Sequence, residues 1–201
     1  MQTRFLRAIS LASLMIFLGS LPGGAVAEQQ SQTSEPAQEL TPPRQIEMYL
    51  DGFHNYRTES KLPKDKQSQI RVAHYCSHFS DDLIQCVLYD GNTKHARLIG
   101  MEYVIPDKVY QSLPASEKKY WHPHNGEVDS GMLVMPGLSE EKQKQILSFV
   151  GTTHGKTWHA WNPTKDRLPF GEAKLMWPVE PDQMKADTKK MLEARKANPA
   201  F

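Results

Sequence analysis

From Ile70 to Phe79 the chain reads IRVAHYCSHF, and its residues alternate with a period of two. Ile70, Val72, His74, Cys76 and His78 share one face, and Arg71, Ala73, Tyr75, Ser77 and Phe79 the other, as in a β-strand. Ser80-Asp81-Asp82 is a turn signal, and Leu83 to Tyr89 supplies a second strand. A hairpin centred on Asp81 puts Cys76 opposite Cys86, His78 opposite Ile84 and His74 opposite Leu88. The partners Ile84, Cys86 and Leu88 are core-like, so His74 and His78 are both expected to be buried. A chain built on this hairpin is committed to an antiparallel sheet.

The remaining segments decide what surrounds that sheet. Ile46, Tyr49, Leu50 and Phe53 recur at helical spacing with His54 on the same stripe, which predicts an amphipathic helix. Asp90-Gly91 turns into a third strand over Ala96 to Ile105, ended by Pro106. Asp107 to Trp121 reads as one or two short helices around Pro114, and Glu127 to Met135 as a strand stopped by Pro136. Ser139 is a natural N-cap for a helix over Glu140 to Val150, with Gly151 as its stop. Lys156 to Trp161 and Ala173 to Trp177 read as short strands, and Asp182 to Ala197 as a closing helix with Met184, Thr188, Met191 and Leu192 on one side. The expected fold is α+β, a single domain with an antiparallel sheet and flanking helices.

The first residues read as an address. Arg4 and Arg7 precede an apolar run from Ala8 to Leu21, and Ala25-Val26-Ala27 offers small residues for cleavage, so residues 1–27 are expected to be a signal peptide. Residues 28–43 are polar and Pro-containing, the composition of a disordered lead segment. A domain over 44–180 and a C-terminal amphipathic helix over 181–201 complete the division. The destination is the periplasm or the medium, both oxidising. Arg4 and Arg7 are the only charges in the signal, so cleavage moves 24 basic against 23 acidic residues to 22 against 23. No field is available to recruit nucleic acid.

Histidine carries most of the chemical signal. His74-x-Cys76-x-His78 lies on one strand face, and Trp121-His122-Pro-His124-Asn-Gly-Glu127 adds two imidazoles and a carboxylate. His74, His78, His122, His124 and Glu127 form a candidate ligand set for one divalent transition metal, zinc or iron, since a catalytic site needs about three protein ligands and an open position. The competing readings are a structural network of buried histidines and acid-base catalysis without metal. Cys76 and Cys86 are candidates for a cross-strand disulfide, which would contribute about 3 kcal/mol. Buried free thiols, or one thiol acting as a ligand, are the alternatives. There is no Gly-rich phosphate loop and no Gly-x-Ser-x-Gly elbow, so phosphoryl transfer and an α/β-hydrolase mechanism have no support. Trp158, Trp161 and Trp177 read as core. The last helix carries Lys185, Lys189, Lys190, Arg195 and Lys196 beside its apolar stripe, which would suit either an anionic membrane surface or, as the favoured reading, packing on the domain.

The blocks Ala73-His74-Tyr75-Cys76-Ser77-His78, Ile84-Gln85-Cys86, Ala96 to Tyr103, Trp121-His122-Pro123-His124, Ser130 to Val134, Gly155 to His159 and Leu168-Pro169-Phe170-Gly171 carry a family resemblance. Through them the chain resembles the oil body-associated proteins, over roughly residues 45 to 180. The resemblance implies a role at a lipid surface or in lipid storage and no assigned catalytic activity. The chain departs from that family by its export signal, and by His154 where Tyr is expected before Gly-Lys. The expected function is a non-enzymatic module that binds a lipid surface or a ligand. The alternative is a metal-dependent enzyme built on the His/Glu set, and a weaker third is a redox protein using Cys76 and Cys86. Oligomeric state is left open.

Overall fold

The computed structural model of the chain describes residues 39–197. The expected signal peptide over 1–27 and residues 28–38 of the expected lead segment lie outside the described residues. At the end of that segment Thr41–Arg44 form one helical turn, α1, started by Pro42 and Pro43.

Seven strands follow: β1 Met48–Tyr56, β2 Ile70–Ser80, β3 Leu83–Tyr89, β4 Leu98–Pro106, β5 His122–Pro123, β6 Thr153–His159 and β7 Lys174–Pro178. All pairings are antiparallel, in the order β4-β3-β2-β1-β7-β6, and β6 pairs back onto β4. Six strands therefore close into a barrel, a more specific form of the antiparallel sheet with flanking helices that the sequence predicted. Closure needs β6 to be paired on both edges. β4 runs along the whole of one edge, while β7 takes Thr157–His159 and β5 takes His154–Gly155 on the other. The barrel abolishes the edges that an open sheet would leave.

The hairpin register is the expected one, with His74↔Leu88, Cys76↔Cys86 and His78↔Ile84, and Cys76 and Cys86 are joined as a disulfide. Inward positions repeat every second residue around the barrel, as Leu50, His74, Leu88 and His159 do in one row. A core of Val72, Leu88, Ile99, Val104, Leu133, Met135 and Met176 fills much of the interior.

Two elements differ from the sequence reading. The helix expected around Ile46–Phe53 is strand β1. Every residue from Leu50 to Tyr56 is buried, because the barrel covers one face and a second cluster of Phe53, Met132, Val179, Met184 and Leu192 covers the other. Burial on both faces removes the two-residue alternation and leaves apolar spacings that imitate a helix. The strand expected over Glu127–Met135 is instead helix α4, Asn125–Asp129, followed by a loop in which Gly131 adopts φ 71° and Val134 makes a single bridge to Asp51.

The other helices match their signals. α2, Asp107–Ser112, and α3, Ala115–Lys118, flank Pro114. α5, Glu140–Val150, is capped by Ser139, whose Oγ accepts from the Lys142 N–H. α6, Ala186–Ala197, packs on the domain and sends Arg195 inward to Asp51. Among the described residues no helix is long and apolar enough to cross a membrane.

Candidate metal centre

Strand parity and one short helix bring seven ionisable side chains to one end of the barrel interior. His54 comes from β1, His74 from β2, Glu102 from β4, His159 from β6 and His122 from β5, while His124 caps α4 and Glu127 lies in its first turn. Each is 5% exposed or less. Gly155, paired with His122, leaves the space they converge on. An ideal Cβ at Gly155 would lie 2.1 Å from Glu102 Oε1, 2.6 Å from His124 Nε2 and 2.7 Å from His122 Nε2.

Glu102 is the hub. Its Oε1 lies 3.2 Å from His124 Nε2 and 3.5 Å from His122 Nε2, and its Oε2 lies 3.1 Å from His74 Nε2. Ligands at zinc-type bond lengths on a tetrahedron stand about 3.3 Å apart, so these separations match the edges of a coordination polyhedron. Glu127 Oε1 is 4.0 Å from His124 Nε2 and offers a further oxygen. Behind His74 runs a ring-to-ring chain, with His54 Nε2 3.3 Å from His74 Nε2 and His54 Nδ1 3.2 Å from His159 Nε2.

Hydrogen bonding fixes the tautomer of the central imidazole. The Thr153 hydroxyl donates to Val150 O at 2.6 Å, so at 2.7 Å from His124 Nδ1 it accepts from that ring. A neutral His124 then aims the Nε2 lone pair at Glu102 Oε1, two acceptors facing each other. Such an arrangement needs a cation between them, either a proton or a metal ion, and an anchored Nδ1–H is the usual support of a metal-ligating histidine. His122 has no hydrogen-bond partner for either nitrogen, and Glu127 Oε2 has none. Buried polar atoms left this way are costly unless something binds them. The donor set of imidazoles and carboxylate fits a divalent transition metal.

The electrostatics agree. Burial acts to raise the Glu102 carboxyl, yet contacts from His122, His124 and His74 hold it well below its usual range. For His74 and His124 burial pulls downward and Glu102 outweighs it, leaving both raised. Burial lowers His54, His122 and His159, the last to about 3. Burial pushes Glu127 up to about 7, with the His124 and His74 charges opposing and Glu102 reinforcing the rise.

The cluster forms the inner end of a cavity of about 340 Å3. His74, Glu102, His124 and Glu127 face into it, and its walls are apolar, among them Leu50, Val104, Leu133, Ile146 and Val150. That volume sits at the low end of the roughly 300–1,000 Å3 typical of small-molecule pockets.

Of the five ligand candidates read from sequence, the structure brings His74, His122, His124 and Glu127 together. His78 is not with them. It is exposed at the cavity rim, where the β2–β3 register shifts, and its N–H donates to Glu47 Oε1. Sequence reasoning missed Glu102, His159 and the Thr153 anchor, and left His54 as a buried residue of a helix. The signal for Glu102 was an acid at an inward position: the hairpin register, continued to β4, sets it opposite Cys86.

A family model described as a protein of unknown function (DUF1264) matches residues 40–199. Oil body-associated protein 1B of Arabidopsis thaliana is 38% identical over 146 residues, 72% of this chain and 58% of that protein. Oil body-associated protein 1A of Zea mays is 38% identical over 140 residues, 69% of this chain and 56% of its own. Oil body-associated protein 2A of Zea mays is 36% identical over 140 residues, covering 69% and 53%. The chain thus spans a little over half the length of these relatives. No solved structure matches it.

Proposed function

The chain belongs to the DUF1264 family, and from the geometry of its buried cluster we propose that it is a metal-dependent enzyme whose ion sits on Glu102, His122 and His124 and faces a small, largely apolar ligand. The observation that carries this reading is the convergence of the His122 and His124 Nε2 atoms on Glu102 Oε1 at 3.5 and 3.2 Å, at the buried end of an apolar cavity. His74, on the other carboxylate oxygen, orients Glu102, and the His54–His159 pair supports His74. One ion suits the charge: the second trio of possible ligands, His54, His74 and Glu102, shares the same single carboxylate. Two dications around so little negative charge would carry a heavy desolvation cost. The ion would supply Lewis acidity toward the ligand's polar group. The chain's own residues exclude water through the apolar wall and place Glu127 beside that group.

Elemental analysis of tag-free protein tests the reading. Wild-type protein is expected to carry about one zinc or iron ion per chain, and Glu102→Gln and His124→Ala to retain less than about a tenth of it. Circular dichroism confirms that the variants are folded. Sub-stoichiometric metal unchanged by either substitution overturns the proposal.

A second reading, a ligand- or lipid-binding module without turnover, draws on the apolar lining of the cavity and on the names of the plant relatives, which associate those proteins with oil bodies. Co-sedimentation with neutral and anionic vesicles is expected to retain the domain if that reading holds. Failure to bind either vesicle removes its lipid-surface form.

A further inference from the structure

A second cavity, of about 280 Å3, approaches the same centre from the other side. It is lined by Trp121, His122, Asn125, Glu127, Trp177 and Glu180, with Gly126 in its floor. Glu127 lines both cavities, so this one buried carboxylate lies between a largely apolar chamber and a more polar one, in which His122, Asn125 and Glu180 are set among Trp121, Trp177 and Val179. Two of its lining side chains carry buried atoms that make no hydrogen bond, both ring nitrogens of His122 and Trp177 Nε1, and the Glu127 carboxylate between the chambers has another in Oε2, which lies toward Leu133 and His74. At the mouth stands the exposed Glu180, whose Oε2 lies 4.0 Å from an ideal Cβ on Gly126, over the first turn of α4.

We propose that this polar cavity is a vestibule that binds a hydrated divalent cation between Glu180 and the buried Glu127 and His122, and hands it to the centre. The inference rests on the metal reading above and adds how the ion arrives. A hydrated dication crossing the other cavity would shed water along walls that are largely apolar, Leu50, Val104, Leu133, Ile146 and Val150 among them, before it met His74, Glu102, His124 and Glu127 at the inner end, which is costly. The one carboxylate at that rim, Glu47, already accepts from the His78 N–H. In the vestibule, carboxylate, amide and imidazole groups replace lost water at each stage. Glu180 also draws cations from solution by its charge, an effect that salt weakens.

Loading of Co2+ into chelator-stripped full-length protein, followed by its visible absorption in a stopped-flow instrument, tests the vestibule. Glu180→Gln is expected to slow loading about threefold and Gly126→Leu, which fills the cavity, about tenfold, both reaching the wild-type final absorbance. Glu47→Gln, which removes the same charge at the rim of the apolar cavity, is expected to load at the wild-type rate. Wild-type loading should slow as salt rises. Glu180 is on the surface, so its variant remains informative should Gly126→Leu fold poorly. Loading unchanged in both vestibule variants, or slowed as much by Glu47→Gln as by Glu180→Gln, overturns the route while leaving the metal reading intact. No cobalt absorbance in wild-type protein overturns the metal reading and the route with it.

Discussion

Replacing Gly155 with Ala is expected to abolish stoichiometric metal binding and to lower unfolding stability by about 1–3 kcal/mol, the usual cost of forcing a methyl group into a filled interior. The backbone is not the reason, since the positive-φ glycines are Gly131, Gly137 and Gly171. The reason is occupancy: the new methyl would stand between 2.1 and 2.7 Å from Glu102 Oε1, His124 Nε2 and His122 Nε2, inside van der Waals contact with all three. These are side-chain ends, but each is buried and tethered. Glu102 is held by His74, His124 by Thr153, and His122 by the β5–β6 pairing. One methyl therefore displaces the three proposed ligands together. Gly91→Ala is the control, because a Cβ there meets nothing within 4 Å. Urea unfolding and elemental analysis on both variants decide the matter. Wild-type metal content in Gly155→Ala would mean that the three groups do not share a site.

How much of this centre could be read in advance depended on which strand carried each residue. The hairpin of β2 and β3 was legible because its partner strand alternates, so the register of Cys76 with Cys86 followed from one turn. His122, His124 and Glu127 were legible as a local run, although α4 and not a strand delivers Glu127. His78 was misplaced by the same register that placed His74 correctly: alternation says which face a residue takes, and not that β1 stops pairing with β2 at Cys76 and leaves His78 exposed beyond it. Glu102 and His159 were hidden for different reasons. Glu102 is reached only by carrying the β2–β3 register through a second turn and the irregularity at Leu88–Tyr89 to β4, whereas His159 lies on β6, which pairs with β4 across the long stretch of chain from Pro106 to Thr153, a non-local fact with no periodic trace. His54 was hidden by burial of both faces of β1, which erased the alternation that marks a strand.

Substitution of Arg195 by Met is expected to cost about 3 kcal/mol, a large effect for a residue read from sequence as part of a solvated, cationic helix face. The side chain is 4% exposed and donates to the Asp51 carbonyl and Oδ1, each at 2.8 Å, to Met132 O at 2.8 Å and to Gly131 O at 3.2 Å. Asp51 is fully buried and also accepts from Arg71 and from the Tyr49 hydroxyl. Methionine keeps much of the stem's packing beside Phe53 but leaves three carbonyls without that donor. The carboxylate retains Arg71, so the cost stays below that of Asp51→Ala, which would take the buried carboxylate away from two guanidiniums at once and is expected to cost about 3–5 kcal/mol. The consequence reaches the metal centre. Arg195 clamps the Gly131–Met132 turn, and the next residue, Leu133, donates its N–H to Glu127 O while its side chain walls the cavity. Releasing the clamp should loosen the segment from 125 to 135 before the barrel itself opens, and hydrogen exchange would show protection lost there first. A double-mutant cycle of Asp51→Asn with Arg195→Met should return a coupling of about 0.5–3 kcal/mol. A cost under about 0.5 kcal/mol for Arg195→Met, with exchange over 125–135 unchanged, would show that α6 rests on the domain through its apolar stripe alone.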